Sequence, residues 1–136
     1  MMKKIPLCLL IFFACISSHA QQAKPMDIET AQTLAPQGNA EAQFLLGKRA
    51  MILRETPQSK EEAFSWMHKA ARQGHIQAQY YLGRMYIEGD GVEKNRVTAR
   101  KWFTKAAEQN DLYAQAVLFV MYESGASTEQ NKKTGK

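Results

Sequence analysis

Four places in the 136-residue sequence hold residue types that chemistry uses: Cys8 and Cys15, the pair Ser65 and His68, the histidine His75, and Gly89-Asp90-Gly91. A thiolate attacks carbonyls or binds metals. A serine beside a histidine base carries out acyl transfer when a third group orients the base. A glycine-rich turn cradles phosphate when it joins a strand to a helix. None of the four is complete. Both cysteines fall in a leader that export would remove, so the remaining chain has no thiol, no disulfide and no cysteine ligand. Ser65 lies three residues from His68, about one helical turn, but no acidic partner completes a triad. Two histidines without cysteine or a clear carboxylate cluster do not supply a zinc site. Gly89-Asp90-Gly91 follows a helical pattern and lacks the Lys-Ser/Thr of a phosphate loop. The residues offer no catalytic centre, metal site or cofactor site, and the chain reads as a non-enzyme.

The leader is expected over residues 1–20. Lys3 and Lys4 give a positive start, Leu7 to Ile16 is almost unbroken apolar sequence, and Ser18-His19-Ala20 offers small residues for cleavage after Ala20. A membrane-spanning helix needs about 20 apolar residues, roughly twice this run. Cys15 leaves lipoprotein processing open as a lesser alternative. The protein is therefore expected to be exported, to a periplasm first and to the extracellular space as the alternative, with no membrane span after cleavage. Residues 21–26 read as a linker. The net charge of +5 arises from 18 basic and 13 acidic side chains; without Lys3 and Lys4 it falls to +3. Lys132, Lys133 and Lys136 account for that remainder, so no basic patch suggests nucleic acid as a partner.

The elements that would position any site come from a repeat. "SWMHKAARQG" at 65–74 returns as "KWFTKAAEQN" at 101–110. An offset of 36 pairs Ala63 with Ala99, Trp66 with Trp102, Ala70-Ala71 with Ala106-Ala107, Ala42 with Ala78 and Ala114, and Leu46-Gly47 with Leu82-Gly83. Leu118 continues the leucine series. Ala78, Leu82, Gly83 and Tyr86 share one helical face, as do Ala99, Trp102, Ala106 and Ala107. Each period thus holds two helices, A and B. Caps are expected at Asn39, Asn95 and Asp111 and at a Ser59-Lys60-Glu61-Glu62 capping box. Gly74 and Asn110 stand where helix ends favour left-handed backbone. Gly47 and Gly83 lie inside helices, where glycine costs about 1 kcal/mol, which implies close approach of a neighbouring backbone. Trp66 and Trp102 are expected to fill the wider gap between helices. His68 and His75 align with Thr104 and Asp111, so neither belongs to the repeated set.

These residues resemble the Sel-one-like repeat family, relatives of the tetratricopeptide repeats. The second period carries Ala78, Leu82-Gly83, Tyr86, Gly89-Asp90-Gly91-Val92, Ala99, Trp102 and Lys105-Ala106-Ala107. The first departs at Ala50 and at Leu53-Arg54-Glu55-Thr56, whose loop is expected to adopt another conformation. The resemblance implies an all-α fold: a short α-solenoid of antiparallel helix-turn-helix units, about two full 36-residue repeats plus flanking single helices, over residues 27–125. Residues 27–34 read as a lone helix B. Residues 126–136 lack apolar periodicity and read as a disordered basic tail.

The resemblance further implies a non-catalytic module whose partner is another protein. Its expected contact surface is the concave face of Gln43, Lys48, Gln79, Tyr80, Arg84 and Gln115. The recurring Gln43, Gln79 and Gln115 form either a polar ladder along that face or simply solvated helix positions. The last helix is almost wholly apolar, with Phe119 where a glycine is expected. Either bulky residues such as Phe119 seal the end of the stack, or Val117, Val120 and Met121 form a patch for a second copy or another protein. An adaptor or regulator of another cell-envelope protein is the leading reading, and a secreted host-interacting factor the alternative. A cell-wall or β-lactam-directed enzyme is the reading from a different class. The cysteine-rich branch linked to β-lactams closes each repeat with a disulfide, and that feature is missing here.

Overall fold

The computed structural model describes residues 24–53 and 55–134, with side chains through Gly125. The leader read at 1–20 and the first part of the linker lie outside the described residues. Six helices and no strand occur among the described residues: α1 Ile28–Leu34, α2 Ala40–Ile52, α3 Pro57–Arg72, α4 Ile76–Glu88, α5 Arg96–Glu108 and α6 Leu112–Thr134. The pairs α2/α3 and α4/α5 are the two full repeats, preceded by a lone helix B and followed by a helix A. Each helix packs mainly on its neighbours in the chain, which is solenoid order.

Polar side chains start the helices, accepting a bond from the backbone amide three residues on. Asp27, Asn39, Asn95 and Asp111 do so at 2.7 to 2.9 Å. His75 is the cap of α4, its Nδ1 accepting from the Ala78 amide at 3.2 Å. The Ser59 capping box is displaced: α3 begins earlier, with Thr56 as cap, Ser59 as its reciprocal partner and Pro57 in the first helical position. Proline is pre-set for that position and needs no donor there. The ends of the helix B elements repeat one design. Gly38, Gly74 and Asn110 take φ of 95°, 87° and 66°, and the amides of Asn39, His75 and Asp111 bond back to Leu34, Ala70 and Ala106.

The core is built from small residues with one large side chain per repeat. Ala63, Ala70, Ala71, Ala78 and Leu82 surround Met67, and Ala99, Ala106 and Ala114 surround Phe103. Met67 and Phe103 stand in register and are fully buried. Each such burial is worth about 1.5–3 kcal/mol. They, rather than the tryptophans, fill the gap between helices A and B. A Cβ on Gly47 would lie 3.0 Å from Met67 Cγ, and one on Gly83 would lie 2.8 Å from Phe103 Cε1. The glycines therefore make room for a side chain, not for a neighbouring backbone. Trp66 and Trp102 are half-buried at the rim, each with the Lys three residues on above its ring, at 4.4 and 4.6 Å. Trp66 packs on Ala31, Ala35 and Ala42; Trp102 packs on the cluster holding Met67, Ala71 and Ala78. Those sets are 36 residues apart, so the two indoles occupy equivalent places.

The Gly89–Val92 turn ties the repeats together. Gly91 has φ 72°, and any Cβ on it would collide with the Lys60 backbone carbonyl at the start of α3. Buried Asp90 lies 3.4 Å from Lys60 Nζ. At the other end α6 stays helical through Thr134, where an unstructured tail from 126 was expected. Glu, Gln and Lys are good helix formers, and a lack of apolar periodicity does not by itself remove helicity.

Candidate interaction groove

The glutamines do not face a partner. Gln43 and Gln79 are each only 4% exposed. Their Nε2 groups donate to the carbonyls of Ala35 and Ala71 at 3.1 and 3.2 Å, and their Oε1 atoms accept from Gln73 and Gln109 at 2.8 Å. Gln115 repeats the first bond, to Ala107, at 3.2 Å, while its side chain remains exposed. The ladder thus holds each helix A to the end of the preceding helix B and satisfies carbonyls that the helix end leaves without partners. Removal of Gln43 and Gln79 from the contact surface corrects that expectation.

Lys48, Tyr80 and Arg84 do come together. With Gln77, Tyr81, Asp111 and Tyr113 they line an open groove of about 340 Å³ across α2, α4 and the start of α6. Three rings line it, Tyr81 to Tyr80 at 5.7 Å and Tyr80 to Tyr113 at 6.0 Å between centroids, and buried Phe44 backs Tyr81 at 6.0 Å from the core side. Aromatic rings at these separations attract and present stiff apolar faces with polar tips. Lys48 Nζ sits 5.6 Å above Phe44, and Arg84 is held 2.8 Å from Glu88. That hydrogen bond holds the Arg84 guanidinium above its ordinary pKa. The Asp111 carboxylate caps α6. The groove therefore offers stacking surface, hydroxyls and two cations. Tyr81 and Tyr113 were not singled out from sequence, yet Tyr113 is in register with Gln77, and Tyr81 adjoins Tyr80.

The histidines have structural roles. His75 Nε2 lies 2.9 Å from Glu41 Oε2, and its ring stacks on Phe44 at 4.4 Å. His68 lies 5.7 Å from the Phe64 ring and 6.0 Å from Trp102. Burial, then the Arg72 charge, lowers its pKa. No three side chains of the metal-binding types stand together among the described residues. At the stack's end Val120 is exposed, Val117 half-buried and Met121 buried at 7%. Met121 follows Ala114 by two helical turns, so it faces Phe103 and leaves the expected patch. Phe119, expected in one reading to seal the end, is 67% exposed and turns away from the core.

Paired helices repeated at a fixed period and stacked in one dimension define an α-solenoid. The chain belongs to the Sel1 repeat family: that family model matches residues 40–75, 76–111 and 112–135. The chain is similar to several solved structures, two of them at 38% and 37% identity. One is a Sel1 repeat protein from Oxalobacter formigenes, at 38% identity and TM-score 0.62, covering 67% of this chain and 68% of that one. The other is c5321, described as a protective antigen present in uropathogenic Escherichia coli strains displaying an SLR fold. It has 37% identity and TM-score 0.67, and the match covers 74% of this chain but only 21% of that one. No curated protein matches the chain. Sel1 repeats typically mediate protein–protein interaction.

Proposed function

We propose that this protein is an exported, non-catalytic adaptor or regulator that holds a segment of another cell-envelope protein against the Lys48–Tyr80–Arg84 groove. The observation that carries this reading is the run of three rings, Tyr81, Tyr80 and Tyr113, laid across the α4 and α6 faces beside the cations Lys48 and Arg84. Aromatic and arginine side chains dominate the energetics of protein contacts because they offer much area for little lost rotamer freedom. The apolar run ahead of Ser18-His19-Ala20 supports export. The likeness to a protective antigen favours a second reading, exposure to a host, in which the same groove holds a host protein.

The test is capture from the envelope fraction of the producing cell by the wild-type protein and by Tyr80→Ala/Arg84→Ala. Arg84 lies on the groove wall, whereas Tyr80 also packs on Phe103, so circular dichroism of the double variant confirms its fold and Arg84→Ala alone serves as the second variant. A partner recovered by wild type and lost by at least tenfold in the double variant supports the reading. Equal recovery by both proteins refutes it.

A further inference from the structure

Helix α6 packs on α5 through Ala114, Leu118 and Met121. Its opposite face carries Leu112, Ala116, Phe119 and Val120, with Tyr122 at its edge beside Arg100 and Thr104 of α5, all five of these α6 residues exposed. Leu112, Ala116, Phe119 and Val120 follow an i, i+4, i+7, i+8 spacing, a single stripe. No Asp, Glu, Lys or Arg interrupts the segment from Leu112 to Tyr122.

The two preceding repeats show what this position is for. Gly47 and Gly83 stand in register with Phe119, and each accepts a large side chain from a docking helix, Met67 or Phe103. In α6 the large side chain comes from helix A itself, so a docking helix must offer a small residue in return. Ala116, one turn from Phe119 on the same stripe, is such a residue. The stripe is thus complementary to itself: an antiparallel copy, centred between Ala116 and Phe119, sets each Phe119 against the other copy's Ala116. Head-to-tail stacking lacks this match, because the far end of the solenoid presents Glu29, Thr30, Gln32 and Thr33 of α1, all exposed and polar. A two-fold contact also closes, whereas head-to-tail stacking grows without limit.

We infer that the exposed face of α6 is a self-association surface that pairs two copies of this chain about a two-fold axis. Phe119 and Tyr122 alone expose on the order of 200–300 Å² per copy, from their exposed fractions and the usual area of aromatic side chains. Two such faces, with Leu112 and Val120, approach the lower limit of a specific interface, so the dimer is a weak one. Pairing would place two Lys48–Arg84 grooves in one particle and strengthen binding to any partner with two target segments.

Sedimentation equilibrium of the protein purified from cells producing the full chain tests this. Three proteins are compared: wild type, Phe119→Glu and Ala116→Trp, with circular dichroism confirming the fold of each. Wild type should pass from monomer to dimer with a Kd on the order of 10–100 μM. Phe119→Glu, which buries a charge at two symmetric positions, should raise Kd at least about 100-fold. Ala116→Trp separates interlocking from mere stickiness: added apolar area would tighten unspecific contact, whereas the self-complementary stripe loses its small position and weakens. Tyr80→Ala/Arg84→Ala should leave association unchanged, which keeps this surface distinct from the groove. A wild-type monomer at all concentrations overturns the inference. So does an unchanged Kd in Phe119→Glu, a tighter Ala116→Trp dimer, or growth beyond two copies.

Discussion

Replacing Gly83 by alanine is expected to destabilise the protein even though alanine is the better helix former, and the same change at Gly47 is expected not to. Gly→Ala in a helix interior gains about 1 kcal/mol from propensity alone. At Gly83 the new methyl would lie 2.8 to 2.9 Å from three carbons of the Phe103 ring. That ring is fully buried among Ala99, Ala106 and Ala114 and has no free direction in which to retreat. Overpacking of this kind costs about 1–3 kcal/mol, so the net change runs from about zero to 2 kcal/mol of lost stability. At Gly47 the contacts are 3.0 to 3.2 Å, with the Cγ, Cε and Sδ of Met67, an unbranched chain that can shift by a few tenths of an ångström. Most of the propensity gain then survives. Unfolded-state effects are the same for both changes, so the difference between the sites, about 1–3 kcal/mol, isolates the packing. Thermal unfolding followed by circular dichroism resolves it, since 1 kcal/mol moves Tm by about 4–8 °C in a domain of this size. The background Phe103→Met gives the second repeat the flexible side chain of the first and should relieve most of the cost of Gly83→Ala. Equal effects at the two glycines, or a Gly83→Ala protein more stable than wild type, would refute the reasoning.

Gly91→Ala should be the most damaging of the glycine changes, losing at least ~2 kcal/mol, because left-handed backbone strain adds to a collision with the Lys60 carbonyl that no rotamer can relieve; urea unfolding measures it. Gln79→Leu leaves the Ala71 carbonyl and the Gln109 amide without partners and should cost about 1–3 kcal/mol; a loss of partner binding at unchanged stability would contradict the structural role. His68 titrates below its ordinary value near 6.5, so the unfolded chain binds the proton more readily. Its contribution to stability is complete above that value and is lost as the pH falls below it. Between pH 7 and pH 5 wild type should therefore lose more stability than His68→Gln, and parallel unfolding curves would count against this.

The period, the helix pairs and most caps were legible because identical residues recur at an offset of 36, and because Asn39, Asn95, Asp111 and Gly74 are residue types with one strong local preference. The side chains that fill the core were not. Met67 and Phe103 stand in register but differ in type, so identity matching passed over them and selected the conserved-looking Trp66 and Trp102 at the rim. Gln43 and Gln79 misled for the opposite reason: a recurring polar residue on a helix reads as exposed, and only the equally recurrent Gln73 and Gln109 reveal a bonded ladder. The start of α3 was signalled by Thr56-Pro57, which outweighs the box at Ser59 because proline fixes the first helical turn. Met121 was betrayed by its spacing from Ala114, two turns along the same face, rather than by its apolar neighbours. Of the groove, Lys48, Tyr80 and Arg84 were readable, whereas Tyr113 required knowing that α6 lies beside α4 at that height.

The claim that partners are held on the helix A face is tested most directly by site-specific photo-crosslinking in the producing cell. A photoreactive phenylalanine is placed in turn at Tyr80, Tyr81 and Tyr113, and at the exposed helix B positions Lys101 and Glu108. Adducts with one discrete protein from the three groove positions, and none from the helix B positions, are the predicted result. Adducts from Lys101 or Glu108 with the groove positions silent would contradict it.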